Sequence, residues 1–246
     1  MSDPSALPST PATTGPEMST AETLTGIFFE PSRTYESLRA RPRFVVAGII
    51  LLAIACIVTV VLYMRVDMGQ YIRDRIERSP NAAQISEEQK ETQVRLGKSF
   101  GAAAIPISVP IIVAGGAALY LLGVLAFGGS ISYTKSIAVW VYSSIPPSVL
   151  GALIAILVLF LKSPDSIDPE HMVATNPAVL LGEDASKVLV AVLSQFDLLR
   201  FYGIFLAALG LRKVAKLSST QAWGVVLTLW GIGALLRIAS AAIFGR

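Results

Sequence analysis

Residues 188–216 read VLVAVLSQFDLLRFYGIFLAALGLRKVAK, and the way this stretch meets a bilayer decides the fold. It is apolar enough to enter hydrocarbon. Yet it carries Asp197 and Arg200 three residues apart and ends in the basic cluster Arg212, Lys213 and Lys216. A charge in hydrocarbon is costly, so ionisable residues in a span are paired, peripheral or functional. Two placements compete. A span over 188–211 sets Asp197 and Arg200 at mid-depth, where they would pair. If 185–196 is instead an interfacial or half-inserted helix, a span over 197–213 sets Asp197 at a helix N-terminus, where a carboxylate complements the macrodipole. The second placement is preferred because it relieves both charges of burial, although 17 residues is short for a crossing.

Outward from this stretch the chain keeps the same character. Of 246 residues, 53% are hydrophobic and 15% charged, and the mean hydropathy is +0.63. Average soluble chains carry about 25% charge. Four further runs, 44–64, 102–127, 136–161 and 220–244, approach or exceed the roughly 20 residues that cross about 30 Å of hydrocarbon. The expected fold is all-α, a polytopic membrane bundle of five transmembrane helices with interfacial and extramembrane helices. A net charge of +3 does not indicate nucleic acid, because the cations flank apolar runs and mingle with acids, as membrane anchors do. Cys56 is the only cysteine, so no intrachain disulfide can form.

Residues 1–18 hold Pro4, Pro8, Pro11 and Pro16 among Ser, Thr and Ala, the composition of a disordered tail. They have no basic n-region or apolar h-region, so the first span is expected to direct insertion. Ser19 and Glu22 have the spacing of a capping box, and Pro31 ends one short helix and suits the first turn of another. With Arg33, Arg39, Arg41 and Arg43, residues 19–43 read as a cytosolic amphipathic helical segment. It either lies on an anionic membrane face or caps the spans, and the sequence weighs these equally.

Residues 65–100 carry seven Lys/Arg and six Asp/Glu and read as a solvated extramembrane helical hairpin. The first span is expected to continue out of the membrane as one helix as far as Ser79-Pro80-Asn81, with Ser86 and Gln89 capping the second arm. The 162–187 connector is acidic. Its His171, beside Asp165, Asp168 and Glu170, makes too loose a set for a metal and reads as a solvated turn.

The third apolar run is uncharged but contains Tyr142-Ser143-Ser144-Ile145-Pro146-Pro147. Two prolines free backbone carbonyls that hydrocarbon cannot satisfy, so Tyr142, Ser143, Ser144 or a neighbouring helix must supply partners. Broken helices occur at transporter binding sites, and plain proline kinks are commoner. The candidate intramembrane or interfacial residues are therefore Tyr142, Ser143, Pro146, Pro147, Asp197, Arg200 and Arg237. Arg237 can pair with Asp197 or snorkel, and snorkelling is preferred. There is no HExxH, no Walker-type loop, no GxGxxG after a strand and no nucleophile elbow. No catalytic, cofactor-binding or metal-binding residue is assigned, and the chain does not read as an enzyme.

Five spans put the N-terminus and the turns at 128–135 and 212–220 on one side. That side carries Arg33, Arg39, Arg41, Arg43, Lys135, Arg212, Lys213 and Lys216, which favours a cytoplasmic N-terminus.

Three stretches carry a family resemblance. They are IFFEPSRTYESLRARPRF before the first span, WVYSSIPPSVLGALI, and NPAVLLGEDASKVLVAVLSQFDLLRFYGIFLAALGLRKVAKLSSTQAW. Over residues 24–244 the chain resembles the YIP family of Ypt/Rab-interacting membrane proteins, particularly its prokaryotic members. In that family an aromatic often follows the aspartate by a few residues; here the place reads Leu199-Arg200-Phe201-Tyr202, and Arg200 is a departure. The resemblance implies five spans and a cytosolic N-terminus, in the plasma membrane for a prokaryotic member. Its eukaryotic members bind small prenylated GTPases in vesicle traffic. The residues that would carry a GTPase partner cannot be matched one by one, so that partner is not carried over. The function expected is a non-enzymatic membrane protein that organises protein partners or lipids, alone or as a homo-oligomer. The alternative is a small transporter or channel that uses the Pro146-Pro147 break with Asp197, Arg200 and Arg237.

Overall fold

The computed structural model describes residues 18–79, 81–182 and 185–244. The expected disordered tail lies, except for Met18, outside the described residues. Ten α-helices and no strand occur among them. The chain opens with two short helices, α1 (Thr20–Phe29) and α2 (Pro31–Ala40). Ser19 caps α1 through a reciprocal capping box with Glu22, and Pro31 opens α2. These helices bury their apolar faces: Ile27, Tyr35 and Leu38 are fully enclosed. Of the two readings open from sequence, the structure takes the cap packed on the spans.

The first long helix, α3 (Val45–Arg65), does not project from the membrane as expected. Val66 turns extended, and Asp67 caps a separate helix, α4 (Met68–Glu77), by accepting from the N–H groups of Gly69 and Gln70. The break is stabilised from outside, because Val66 is buried in a small cluster with Leu159 and Ile167. α4 packs on α5 (Glu87–Ala103), whose N-terminus carries a second capping box, Ser86 with Gln89. Only Ala104 separates α5 from α6 (Ile105–Ala126).

α7 (Tyr133–Leu161) is the spine of the bundle and packs against α1, α2, α3, α6 and α9. It runs as one helix through Pro146 and Pro147, so the helix break on which the transporter alternative drew is absent. The chain ends with α8 (Lys187–Leu193), α9 (Leu198–Val214) and α10 (Ser219–Phe244). Glycines let these helices approach closely. A Cβ on Gly116 would run into the Trp140 ring, and one on Gly123 would lie 2.6 Å from Val225 Cγ1.

Four helices, α3, α6, α7 and α10, are each long and apolar enough to cross a membrane. α8 and α9 pass the same test only together, as a pair bent by 44°, which makes either a broken span or a re-entrant loop. Exposed Leu153, Phe160, Leu235 and Leu236 form the outer surface of these helices, as lipid contact requires. The main core sits toward the end of the bundle where α2 docks, with Tyr35, Val139, Tyr142 and Leu211 enclosed together. That end also holds the 127–132 turn, tied down by Gln221 Nε2 donating to Phe127 O at 2.9 Å. The opposite end holds the α4–α5 pair and the start of the connector after α7, joined by an ion pair between Arg75 and Glu170.

A polar groove between the third span and the bent span

The two prolines of α7 lack an N–H, so the carbonyls of Tyr142 and Ser143 lose their usual donors one turn ahead. The serines do not replace them. Ser143 Oγ and Ser144 Oγ both donate to Trp140 O, at 3.0 and 2.8 Å. α9 closes in on this segment. A Cβ on Gly203 would sit 3.6 Å from Pro147 Cγ and 3.7 Å from Ser143 O, ordinary van der Waals contact. Beside that contact lies an open cavity of about 360 Å³, lined by Tyr120, Ser143, Ser144, Ser148 and Arg200 among others.

Asp197 stands just above the groove as the N-cap of α9. Its Oδ1 accepts from Arg200 N at 3.0 Å. Its Oδ2 accepts from Thr175 Oγ1 at 2.7 Å, Thr175 N at 3.2 Å and Asn176 Nδ2 at 3.3 Å. The carboxylate thus staples the connector to the start of α9, and Leu198 N returns a bond to Thr175 O at 3.1 Å. Asp197 pairs with neither Arg200 nor Arg237 by side chain.

Arg200 is half-buried, and its Nη1 donates to Gln195 Oε1 at 2.6 Å. Gln195 is itself buried and anchored by Nε2 to Ala191 O at 2.8 Å. Arg237 on α10 is exposed and lies within electrostatic range of Arg200, as does Asp197. Among the described residues neither arginine makes an ion pair. The joint between α8 and α9 is clasped to α10 by rings: Trp230 stands 5.7 Å from Phe201 and 6.4 Å from Phe196, centroid to centroid.

The depth of the groove follows from α7. Arg65 Nε donates to Leu159 O at 2.9 Å, so the polar end of α3 is level with Leu159. Pro147 lies twelve residues earlier, about 18 Å down the helix at 1.5 Å per residue. Gly203 faces Pro147, and Arg200 is three residues nearer the Arg65 end, so Arg200 lies roughly 13 Å along the bundle from the level of Arg65. Of the two placements weighed from sequence the structure takes the second: Asp197 caps α9, and α8 is a separate helix before it. The connector comes alongside and brings Thr175 and Asn176 as donors. Val173 reaches the level of Gly151.

Of the candidate residues, Ser143, Pro147 and Arg200 meet in the groove, and Asp197 stands at its end. Pro146 is buried in the helix interior. Tyr142 turns away to the cap, where its hydroxyl is 3.0 Å from Thr23 Oγ1. Sequence reasoning missed Tyr120, Ser148, Gly203, Thr175, Asn176 and Gln195. Only Asn176, before Pro177, carried a local turn signal.

Outside the spans, Asp168 is 2.6 Å from His171 Nδ1. Burial is the largest influence on its carboxyl and pushes its pKa up. The bonds from His171 and the Glu170 N–H, with the charges of His171 and Arg75, outweigh burial and leave it below the usual range. No group of three or more His, Cys, Asp or Glu able to hold a metal occurs among the described residues.

Comparison with known proteins adds a lineage. A family model described as the Yip1 domain matches residues 25–240. The chain is also similar to membrane protein YknW of Bacillus subtilis (strain 168), 25% identical over 220 residues, which cover 89% of this chain and 90% of that protein. No solved structure matches it significantly.

Proposed function

Because the chain belongs to the Yip1-domain family, we propose that it is a non-enzymatic multi-pass protein that organises protein partners or lipids in its membrane. The observation that carries this reading is the docked cap. α1 and α2 are fixed to α7 and α9 by buried Ile27, Tyr35 and Leu38, and by Lys213 Nζ donating to Glu36 Oε1 at 2.5 Å. A rigid platform with exposed Phe29 and a rim of arginines is suited to holding a partner against the membrane surface. Cross-linking and pull-down of the full chain from native membranes test it. Recovery of no protein or lipid above background refutes the organising role.

The membrane proposed is the plasma membrane, with the N-terminus cytoplasmic. The support is the cation-rich end formed by α2 and the 212–216 segment, opposite an acidic connector. Single cysteines placed at Ser32 and Ser166, in a Cys56→Ser background, report sidedness by labelling intact cells. Labelling at Ser32 without permeabilisation overturns the orientation.

A further inference from the structure

The groove between α7 and α9 holds an arrangement that the organising role leaves unexplained. A guanidinium offers five N–H donors in a fixed fork. Arg200 spends its one observed bond on Gln195, a neutral group. The nearby carboxylate of Asp197 is consumed by Thr175, Asn176 and the Arg200 N–H. The second charge in range is Arg237, of the same sign. A half-buried positive charge with no side-chain counter-ion, in a bundle of apolar helices, is unfavourable unless something anionic reaches it or water is drawn in. The cavity beside it has the form for such a guest. It is open and about 360 Å³, with Ser143, Ser144, Ser148 and Tyr120 supplying hydroxyls on walls that are otherwise apolar.

We propose that this groove binds the phosphate of an anionic phospholipid, with Arg200 as the main ligand, the Ser148 hydroxyl beside it and Arg237 guiding the headgroup in along α10. A membrane lipid fits better than a free anion, because the groove is open and part of its lining is apolar, with Pro147, Leu199 and Ile204, while Leu150 and Leu198, close in sequence to lining residues, are exposed on the same two helices. Acyl chains can then follow those side chains while the phosphate reaches the fork. The bend between α8 and α9 is what gives the headgroup room, since a straight helix would carry apolar side chains past this level. The inference rests on the organising role proposed above and gives it a ligand class.

The test uses the full chain purified in mild detergent and incubated with mixed micelles of phosphatidylglycerol and phosphatidylcholine. Retained lipid is read by native mass spectrometry after washing. The wild type is expected to retain phosphatidylglycerol over phosphatidylcholine, and millimolar inorganic phosphate is expected not to displace it. Arg200→Gln should lower retention about tenfold, the worth of one charge-assisted bond. Arg237→Gln, at an exposed position that leaves folding alone, should lower it about threefold, and Arg73→Gln on the distant α4 should not change it. Should Arg200→Gln fail to fold, Arg237→Gln carries the test. Unchanged retention in a folded Arg200→Gln or Arg237→Gln protein, equal retention of the two lipids, or displacement by inorganic phosphate overturns the proposal. If lipid retention fails while pull-down still recovers partners, the lipid site falls and the organising role stands.

Discussion

Gly210→Ala should loosen the N-terminal cap. Gly210 lies on α9 where α2 and α7 converge. A Cβ there would sit 2.8 Å from Tyr35 Cε1, 2.8 Å from Val139 Cγ1 and 2.9 Å from Tyr35 Cζ. None of these atoms can yield cheaply: Tyr35 is a fully buried ring, and Val139 is a β-branched residue in a long helix. Overpacking of this kind costs about 1–3 kcal/mol. Replacing a mid-helix glycine by alanine returns up to about 1 kcal/mol. The net loss is about 1–2 kcal/mol, a factor of roughly 5–30 in the ratio of docked to undocked cap. Hydrogen exchange of α1 and α2 in the full-length protein, in lipid nanodiscs, measures that ratio directly. Val139→Ala removes one of the three clashing atoms and should recover part of the loss. Gly115→Ala and Gly231→Ala, where nothing lies within 4 Å of the added carbon, should leave α1 and α2 unchanged. A Gly210→Ala protein whose cap exchanges as slowly as wild type would falsify the docking described here.

Other outcomes follow from single contacts. Asp197→Asn keeps one acceptor oxygen but turns an amide toward Thr175 or Arg200 N–H groups, and should cost about 1–3 kcal/mol for each donor left unpaired. Thermal unfolding in detergent and proteolysis of the connector check it. If Asp197→Asn instead abolishes a flux in reconstituted vesicles while stability holds, the transporter reading gains. Asp67 has its carboxyl held below the ordinary range by the Gln70 and Gly69 N–H groups. Its stabilisation of α4 is therefore present above the unfolded pKa of about 3.9 and is lost as pH falls through the lower folded value. Hydrogen exchange of α4 should quicken over that window, and Asp67→Asn should flatten the dependence. Glu36→Lys should weaken cap docking by about 1 kcal/mol or less, and Lys213→Glu in the same chain should restore it. An unrescued double variant counts against the pair.

What was legible in the sequence was local. Ser19 with Glu22 and Ser86 with Gln89 act within one turn, so their spacing sufficed. Span lengths were legible because hydrocarbon thickness sets them. Asp67 hid a helix break, since an aspartate in a charged run reads equally as a cap or as a solvated side chain. The apolar face of α1 and α2 could not say whether lipid or protein covers it, because both favour the same periodicity. The packing of α7 at Pro147 against Gly203 joins residues some sixty apart in the chain, which no local pattern records. The Asp197 cluster joins donors 21 and 22 residues away through a connector with no periodic pattern. Arg200 was singled out as a charge in an apolar run, but its lack of a counter-ion only exists in three dimensions.

The docking of α2 on the far end of α9 also has a consequence in time. The ribosome finishes Ala40 about 170 residues before Val214, the last residue of α9. At roughly 5–20 residues per second this leaves α1 and α2 without their berth for about 10–35 s. During that interval only α7 can offer Ile27, Tyr35 and Leu38 part of their cover, and the nascent amphipathic pair must shelter its remaining face on the bilayer surface or in a chaperone. Such a chain seals its first-made part late, so truncation anywhere before α9 leaves the N-terminal helices only partly housed.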